Sequence, residues 1–287
     1  MVLKEIKHIY HKELDGLYPK EEVDSFFYLL IEHYLQLQRF VLAIRPNLTL
    51  TKEEEQPLFE ALSELRLQRP VQYIIGKTSF MDLDFEVDEK VLIPRPETEE
   101  LVRWVVGEAR GGLTSEKRKL RILDIGTGSG CIAISLAKLL PEAEVHALDV
   151  SGEALEMAKR NARSNSVELR FIHADILNYD GRPGGYDIIV SNPPYVRELE
   201  KREMQKNVLE YEPDLALFVS DENPLVFYDA ISKFAQHNLV EKGKLFFEIN
   251  QYLAKETAAL LREHNFLEIE VRKDIFGNDR MTKGVLG

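Results

Sequence analysis

Apolar positions recur at helical spacing through the first part of the chain. Ile6, Ile9, Tyr10 and Leu14 form one stripe, and Val23, Phe26, Phe27, Leu30, Ile31, Tyr34, Leu35 and Phe40 form a longer one. Pro46-Asn47 interrupts the pattern. Thr51 then offers an N-cap ahead of Lys52-Glu53-Glu54, and Leu58, Phe59, Leu62, Leu65 and Leu67 resume it. The spacing predicts helices to about Arg69, where Arg69-Pro70 ends the region. Beyond it Phe80, Leu83, Phe85, Val87, Val91 and Ile93 predict a β-hairpin with its turn near Asp88-Glu89. Pro94 and Pro96 stiffen the next segment, and Glu97-Thr98-Glu99-Glu100 places acids at the start of a helix.

From Arg118 the pattern alternates between strand and helix. Strands are predicted at 120–125, 144–149, 168–173, 186–191, 244–249, 267–273 and 281–286, and helices at 130–140, 152–164, 224–240 and 252–264. Such alternation predicts a doubly wound, mostly parallel sheet of the α/β class. The final two strands have no helix between them and should pair antiparallel. Gly181-Arg182-Pro183-Gly184-Gly185 reads as a short turn, and 197–213 as a charged, irregular segment placed to close over a substrate. The domain boundaries expected are a helical domain over 1–76, a hairpin linker over 77–96 and the α/β domain over 97–287.

Chemistry concentrates at the ends of the predicted strands. The run Tyr186-Asp187-Ile188-Ile189-Val190 leads into Ser191-Asn192-Pro193-Pro194-Tyr195. Two consecutive prolines remove two donors and end the strand, leaving a rigid extended segment with free carbonyls, one amide and one aromatic ring. Ligands of open α/β sheets bind at this edge. The segment carries acceptors and a stacking plane and no nucleophile, which suits holding a planar nitrogen group. Upstream, Asp124-Ile125-Gly126-Thr127-Gly128-Ser129-Gly130 follows the first strand of the alternating region, and the next strand ends at Asp149, placed for ribose hydroxyls. The Gly-x-Gly-x-Gly spacing departs from the pyrophosphate fingerprint. A ribose-bearing cofactor with an amino-acid tail, S-adenosylmethionine, fits it better. Asp124 is placed to hold that tail or to orient the loop, and Asp175 and Ile176 to meet an adenine.

Composition narrows the classes. The 287 residues are 44% hydrophobic and 30% charged, as in ordinary globular proteins. No run is long and apolar enough for a membrane span, and the amino terminus lacks the apolar core of a secretory signal, so a cytoplasmic location is expected. The one cysteine, Cys131, excludes an internal disulfide and a multi-cysteine zinc site, and is expected to be a core residue. No metal is expected. His146 and His173 read as structural. A formal charge of −12 disfavours bulk electrostatic binding of nucleic acid and favours a basic protein or a small cation.

With these motifs in place the chain closely resembles the HemK/PrmC family of peptide chain release factor glutamine methyltransferases. The resemblance covers essentially the whole chain. It is carried by Arg69 to Gly76, Val91-Leu92-Ile93-Pro94-Arg95-Pro96-Glu97-Thr98-Glu99, the Asp124 to Gly130 loop, Ser191 to Tyr195, and Asp274 to Arg280. It implies a seven-stranded, Rossmann-like class I methyltransferase domain preceded by a small all-helical domain that docks the release factor. It also implies S-adenosylmethionine at Gly126 to Gly130, Asp149 and Ile176, and the glutamine of a Gly-Gly-Gln motif at Asn192 to Tyr195. Asn192 also stands among the expected cofactor contacts. Arg95 and Glu97, in the proline-stiffened segment, are further candidates for substrate binding. The chain departs from the family at Asn250, where glycine is common.

The expected chemistry follows from the amide. Its nitrogen lone pair is delocalised, so the site must orient it and stabilise its growing positive charge. Asn192 and the Pro193 carbonyl are placed to accept its two N–H groups, and Tyr195 to stack on its plane. No carboxylate is expected to act as an essential base. Three competing classes use part of this pattern. An adenine amino-methyltransferase of DNA or RNA would need a basic groove. A non-catalytic docking module would not need Asn-Pro-Pro-Tyr, and neither would a nicotinamide dehydrogenase. A monomer acting on a protein, with no nucleic acid and no membrane, is the expectation.

Overall fold

The computed structural model describes residues 1–111, 118–181 and 185–287. The interior of the Gly181–Gly185 turn lies outside the described residues. The chain divides into two compact units. One comprises residues 1–76 and 205–211, the other residues 77–204 and 212–287.

The first unit is helical: α1 (Leu3–Leu14), α2 (Lys20–Leu35), α3 (Val41–Ile44), α4 (Lys52–Arg66) and α5 (Val71–Ile75). The two predicted stripes form its core, with Ile6, Tyr10, Phe27 and Leu30 fully buried beside Leu58 and Leu65. Tyr10 donates its hydroxyl to the Leu58 carbonyl at 2.5 Å. Phe40 departs from the second stripe. Gln36 adopts φ 56° and ends α2, so Phe40 leaves the helix face and is exposed. The helical region also runs past Arg69-Pro70. Pro70 is the N-cap of α5, which ends at Gly76 with φ 74°, a conformation glycine adopts without strain.

The second unit opens with a hairpin of β1 (Lys77–Phe80) and β2 (Leu83–Glu86). Its turn is at Met81-Asp82, seven residues before the position expected from sequence. Both residues have positive φ, 51° and 60°, as a two-residue turn of primed type requires. Asp88 makes a separate turn, accepting the Lys90 N–H. Phe80 and Phe85 pack edge to face in the core beneath α6 (Pro96–Arg110).

The sheet strands follow: β3 (Arg121–Ile125), β4 (Glu144–Asp149), β5 (Arg170–His173) and β6 (Tyr186–Ser191). A short pair, β7 (Val196–Arg197) and β8 (Phe218–Val219), stands apart from the sheet. Then come β9 (Leu239–Glu248), β10 (Phe266–Lys273) and β11 (Asp279–Leu286). The seven-stranded sheet has the order β10-β11-β9-β6-β3-β4-β5, parallel except for the antiparallel pairing of β11 with β9 and β10. Between the strands lie α7 (Cys131–Leu139), α8 (Gly152–Ser164), α9 (Lys206–Tyr211), α10 (Asp214–Leu217), α11 (Val226–Asn238) and α12 (Ala254–Glu263). Residues alternate between two cores. Ile122, Ile188, Val190 and Phe246 face α6 and α7, whereas Leu123, Ile189, Leu245 and Phe247 face α11 and α12. The segment after β7 is more regular than expected, with a 3₁₀ turn at Glu198–Glu203 and then α9, which belongs to the helical unit. There Tyr211 donates to the Leu67 carbonyl at 2.9 Å.

β3 sits between β4 and β6, so successive connections leave it in opposite directions. That reversal opens a crevice at the carboxyl ends of β3 and β6, where the glycine loop and Asn-Pro-Pro-Tyr both emerge.

Candidate functional site

A cavity of about 490 Å³ opens at this crevice. Its wall includes Gly126 to Ser129, Asp149, Asp175, Ile176, Asn192, Pro193 and Pro194, together with Arg95 and Thr98. Asp124, Gly130, Glu97 and Tyr195 stand outside the lining.

Asp124 lies beneath the glycine loop, fully buried. Its Oδ2 accepts the Thr127 hydroxyl at 2.6 Å and the Ala133 N–H at 3.2 Å, which pins both ends of the turn into α7. Burial pushes its carboxyl up to about 7. Gly126 and Gly128 have φ 74° and 55°, and Gly126 and Thr127 donate to the Leu148 carbonyl at 2.8 and 3.0 Å. Gly130 has φ 85°, and a Cβ there would meet Ile134 at 2.9 Å and Ala158 at 3.1 Å. That position lets the loop lie on α8. Asp149 accepts the Gly128 N–H at 2.8 Å and the Ser151 N–H at 2.9 Å, one on each oxygen. The carboxylate is thereby fixed with lone pairs to spare, and burial raises its pKa. Asp175 accepts the Leu177 N–H at 3.0 Å and an Asn178 amide N–H at 2.8 Å, so it caps the turn after β5. Ile176 beside it is buried.

Opposite the loop, Ser191 donates to the Ile125 carbonyl at 2.6 Å and joins the ends of β6 and β3. The Asn192 amide donates to the Thr98 hydroxyl at 3.3 Å, and that hydroxyl donates to Glu248 at 2.6 Å. Tyr195 donates to the other oxygen of Glu248 at 3.0 Å. Arg95 is paired with buried Glu212 at 2.6 Å, and Glu212 also accepts the Ile93 N–H at 3.3 Å. This pair holds the proline-stiffened segment against the residues that follow α9. Asn250 needs no glycine. Its φ is −64°, its Oδ1 caps the next turn by accepting the Tyr252 N–H, and its amide donates to the Tyr195 carbonyl at 3.0 Å.

A model of the Methyltransferase small domain matches residues 113–212, and one of the PrmC N-terminal domain matches residues 12–76. The release factor glutamine methyltransferase of Flavobacterium psychrophilum is 50% identical over 283 residues, 99% of each chain. The chain belongs to the release factor glutamine methyltransferase family. The Bacteroides thetaiotaomicron member is 43% identical over 94% of this chain and 95% of its own. Among solved structures, a methyltransferase of Pyrococcus furiosus superposes with a TM-score of 0.51 at 18% identity, over 83% of this chain and 100% of its own. A 16S rRNA methyltransferase of Thermus thermophilus, solved with AdoMet and guanosine, gives 0.51 at 18% identity over 74% and 50%. Both show the same fold.

As a family member the protein is an S-adenosylmethionine-dependent methyltransferase. Its own residues fit that cofactor. The loop offers close backbone approach, and Asp149 a fixed carboxylate. Among the described residues Asp124 Oδ1, buried beneath the loop, has no hydrogen-bond partner, and the buried Ser129 hydroxyl lies in the cavity wall. Cys131 is buried and its thiol is pushed up to about 12, so it is not a nucleophile at neutral pH. His146 is held by Tyr186 at 2.7 Å and Glu144 at 2.9 Å, and His173 by the Val150 carbonyl at 2.9 Å. Among the described residues no cluster of His, Cys, Asp or Glu could hold a metal ion. No helix among them is long and apolar enough to cross a membrane.

Sequence reasoning missed Thr98, Glu212 and Glu248 as parts of the site. In the sequence Thr98 signals only a helix start. Glu212 and Glu248 carry no local signal, because their partners are 117 and 150 residues away.

Proposed function

We propose that the protein methylates the side-chain amide nitrogen of the glutamine in the Gly-Gly-Gln motif of peptide chain release factors, and thereby tunes translation termination. S-adenosylmethionine supplies an electrophilic methyl group. The observation that carries the reading is Asn192-Pro193-Pro194, beyond the carboxyl end of β6, facing the glycine loop across one cavity, with Tyr195 next in the chain. Asn192 Oδ1 and the Pro193 carbonyl accept the two N–H groups of the substrate amide, and both bonds strengthen as the nitrogen becomes cationic. The Tyr195 ring bounds the amide plane. Pro193 and Pro194 keep the segment rigid, so the rate derives mainly from orientation. The methylated nitrogen is acidic and gives its proton to water after transfer, so no carboxylate is needed as a base.

In this reading Gly126 to Gly130, Asp149, Asp175, Ile176 and Asn192 bind the cofactor, with Asp124 shaping the loop. Arg95 and Glu97 meet the protein substrate. The helical domain over 1–76 docks the release factor, with 77–96 as the linker to the methyltransferase domain over 97–287. The enzyme works as a cytoplasmic monomer without binding nucleic acid.

The test is transfer of labelled methyl to a purified release factor, to a copy with its candidate glutamine replaced by alanine, and to short DNA and RNA. The expected result is label on the wild-type factor alone. Label on nucleic acid would overturn the substrate assignment and leave the fold and cofactor standing.

A further inference from the structure

Glu248 is a buried carboxylate beside the site that the proposed chemistry does not use. It is 1% exposed and stands at the carboxyl end of β9. Its two oxygens take hydroxyl donors, Thr98 at 2.6 Å and Tyr195 at 3.0 Å. Arg280 faces it electrostatically but pairs with Asp274 at 3.1 Å. A buried carboxylate held by two hydroxyls and no hydrogen-bonded cation is costly to maintain. Both hydroxyls belong to the apparatus around the substrate amide.

The direction of the bonds matters more than their number. Burial raises the Glu248 pKa, and the two hydroxyl donors and Arg280 favour its ionised form. As a carboxylate it only accepts, so the Thr98 hydroxyl donates its one hydrogen to Glu248. The Thr98 oxygen is then left as an acceptor and can receive only a donor from Asn192. The Asn192 NH₂ is therefore turned toward Thr98, as its 3.3 Å contact shows, and Oδ1 becomes the end left for a ligand. The other orientation would set two acceptors against each other at Thr98 and present an NH₂ to the substrate amide nitrogen. Glu248 also accepts a hydrogen bond from the Tyr195 hydroxyl, which fixes the ring.

We propose that Glu248, acting through Thr98, is the positioning residue that fixes Asn192 as an acceptor for the substrate amide. The inference rests on the reading of Asn192 as the amide-holding residue. Glu248 and Thr98 do not touch the substrate and transfer no proton.

The test uses full-length enzyme variants Thr98→Val, Thr98→Ser, Glu248→Gln and the double Thr98→Val/Glu248→Gln. The expected result for Thr98→Val is a loss in kcat on the order of a hundredfold with cofactor affinity unchanged. Thr98→Ser, which keeps the hydroxyl, restores most of it. Glu248→Gln lowers kcat similarly, and the double variant is no worse than either single one, because both break one chain. In parallel, the side-chain amide resonance of Asn192 is assigned by its disappearance in Asn192→Ala. It should shift in Thr98→Val and Glu248→Gln and hold its position in Thr98→Ser. An unmoved resonance would overturn the proposal whichever substrate the enzyme accepts. So would full kcat in Thr98→Val, or multiplicative losses in the double variant. Shifts as expected, with no transfer from wild-type enzyme to a release factor, would uphold the orienting chain and overturn the release-factor reading alone.

Discussion

At the scale of single residues, the site consists of polar groups whose freedom has been removed. Asp149 is fixed by two backbone donors, and Asp124 by Thr127 and Ala133. Asp124 has a consequence for stability. Its folded pKa, about 7, lies above the ordinary value of 3.8. Between those values the folded protein keeps a proton that the unfolded chain has lost. This group's contribution to stability therefore declines as pH rises from about 4 to about 7 and is lowest above that. Asp124→Asn removes the titration, and its amide oxygen can still take the Thr127 and Ala133 donors. Urea denaturation across this pH range should show wild type losing stability relative to Asp124→Asn, by about 4 kcal/mol at most. Parallel pH profiles would contradict the assignment.

At the scale of elements, the legible parts were those set by local pattern. Alternation of period placed all seven sheet strands, because β-branched runs bounded by glycine and proline leave few alternatives. The helix before β9 is expected to end at Val240, two residues past Asn238, and the strand to start at Lys244, five past Leu239, because Leu239 and Val240 are apolar in either element. The hairpin turn is not legible because Met81-Asp82 lacks the glycine, or the Asn-Gly or Asp-Gly pair, that marks a two-residue turn. It is the pairing of β1 with β2 and the burial of Phe80 and Phe85 that hold it in positive φ. Asp82→Gly should relieve part of that cost and stabilise the protein by about 0.5–1 kcal/mol. A lower melting temperature would count against this account of the turn. Gly130→Ala should act oppositely. Its φ is 85° and its Cβ would press on Ile134 and Ala158. A loss of about 1–3 kcal/mol is expected in chemical denaturation, with weaker cofactor binding. Neutral behaviour would mean that the loop does not need to lie so close to α8.

At the scale of the whole molecule, the glycine loop and Asn-Pro-Pro-Tyr were legible because each is a contiguous motif. The relay from Asn192 through Thr98 to Glu248, and the Arg95–Glu212 pair, exist only after β6, β9 and α6 have been brought together. No window of sequence contains them. Net charge is likewise a property of the whole chain. At −12 it favours a basic partner surface, so KM for the release factor should rise between about 50 and about 300 mM salt while cofactor affinity changes little. A KM insensitive to salt would assign docking to apolar contacts instead. The central claim, that one rigid segment holds the amide of a protein glutamine through two acceptor oxygens, is tested most directly by single-turnover methyl transfer from Asn192→Ala enzyme saturated with cofactor. A rate lower by about 10³ or more is expected at saturating cofactor, a loss well beyond any weakening of cofactor binding that removal of Asn192 brings. A near-normal rate, or a loss that merely tracks weakened cofactor binding, would contradict it.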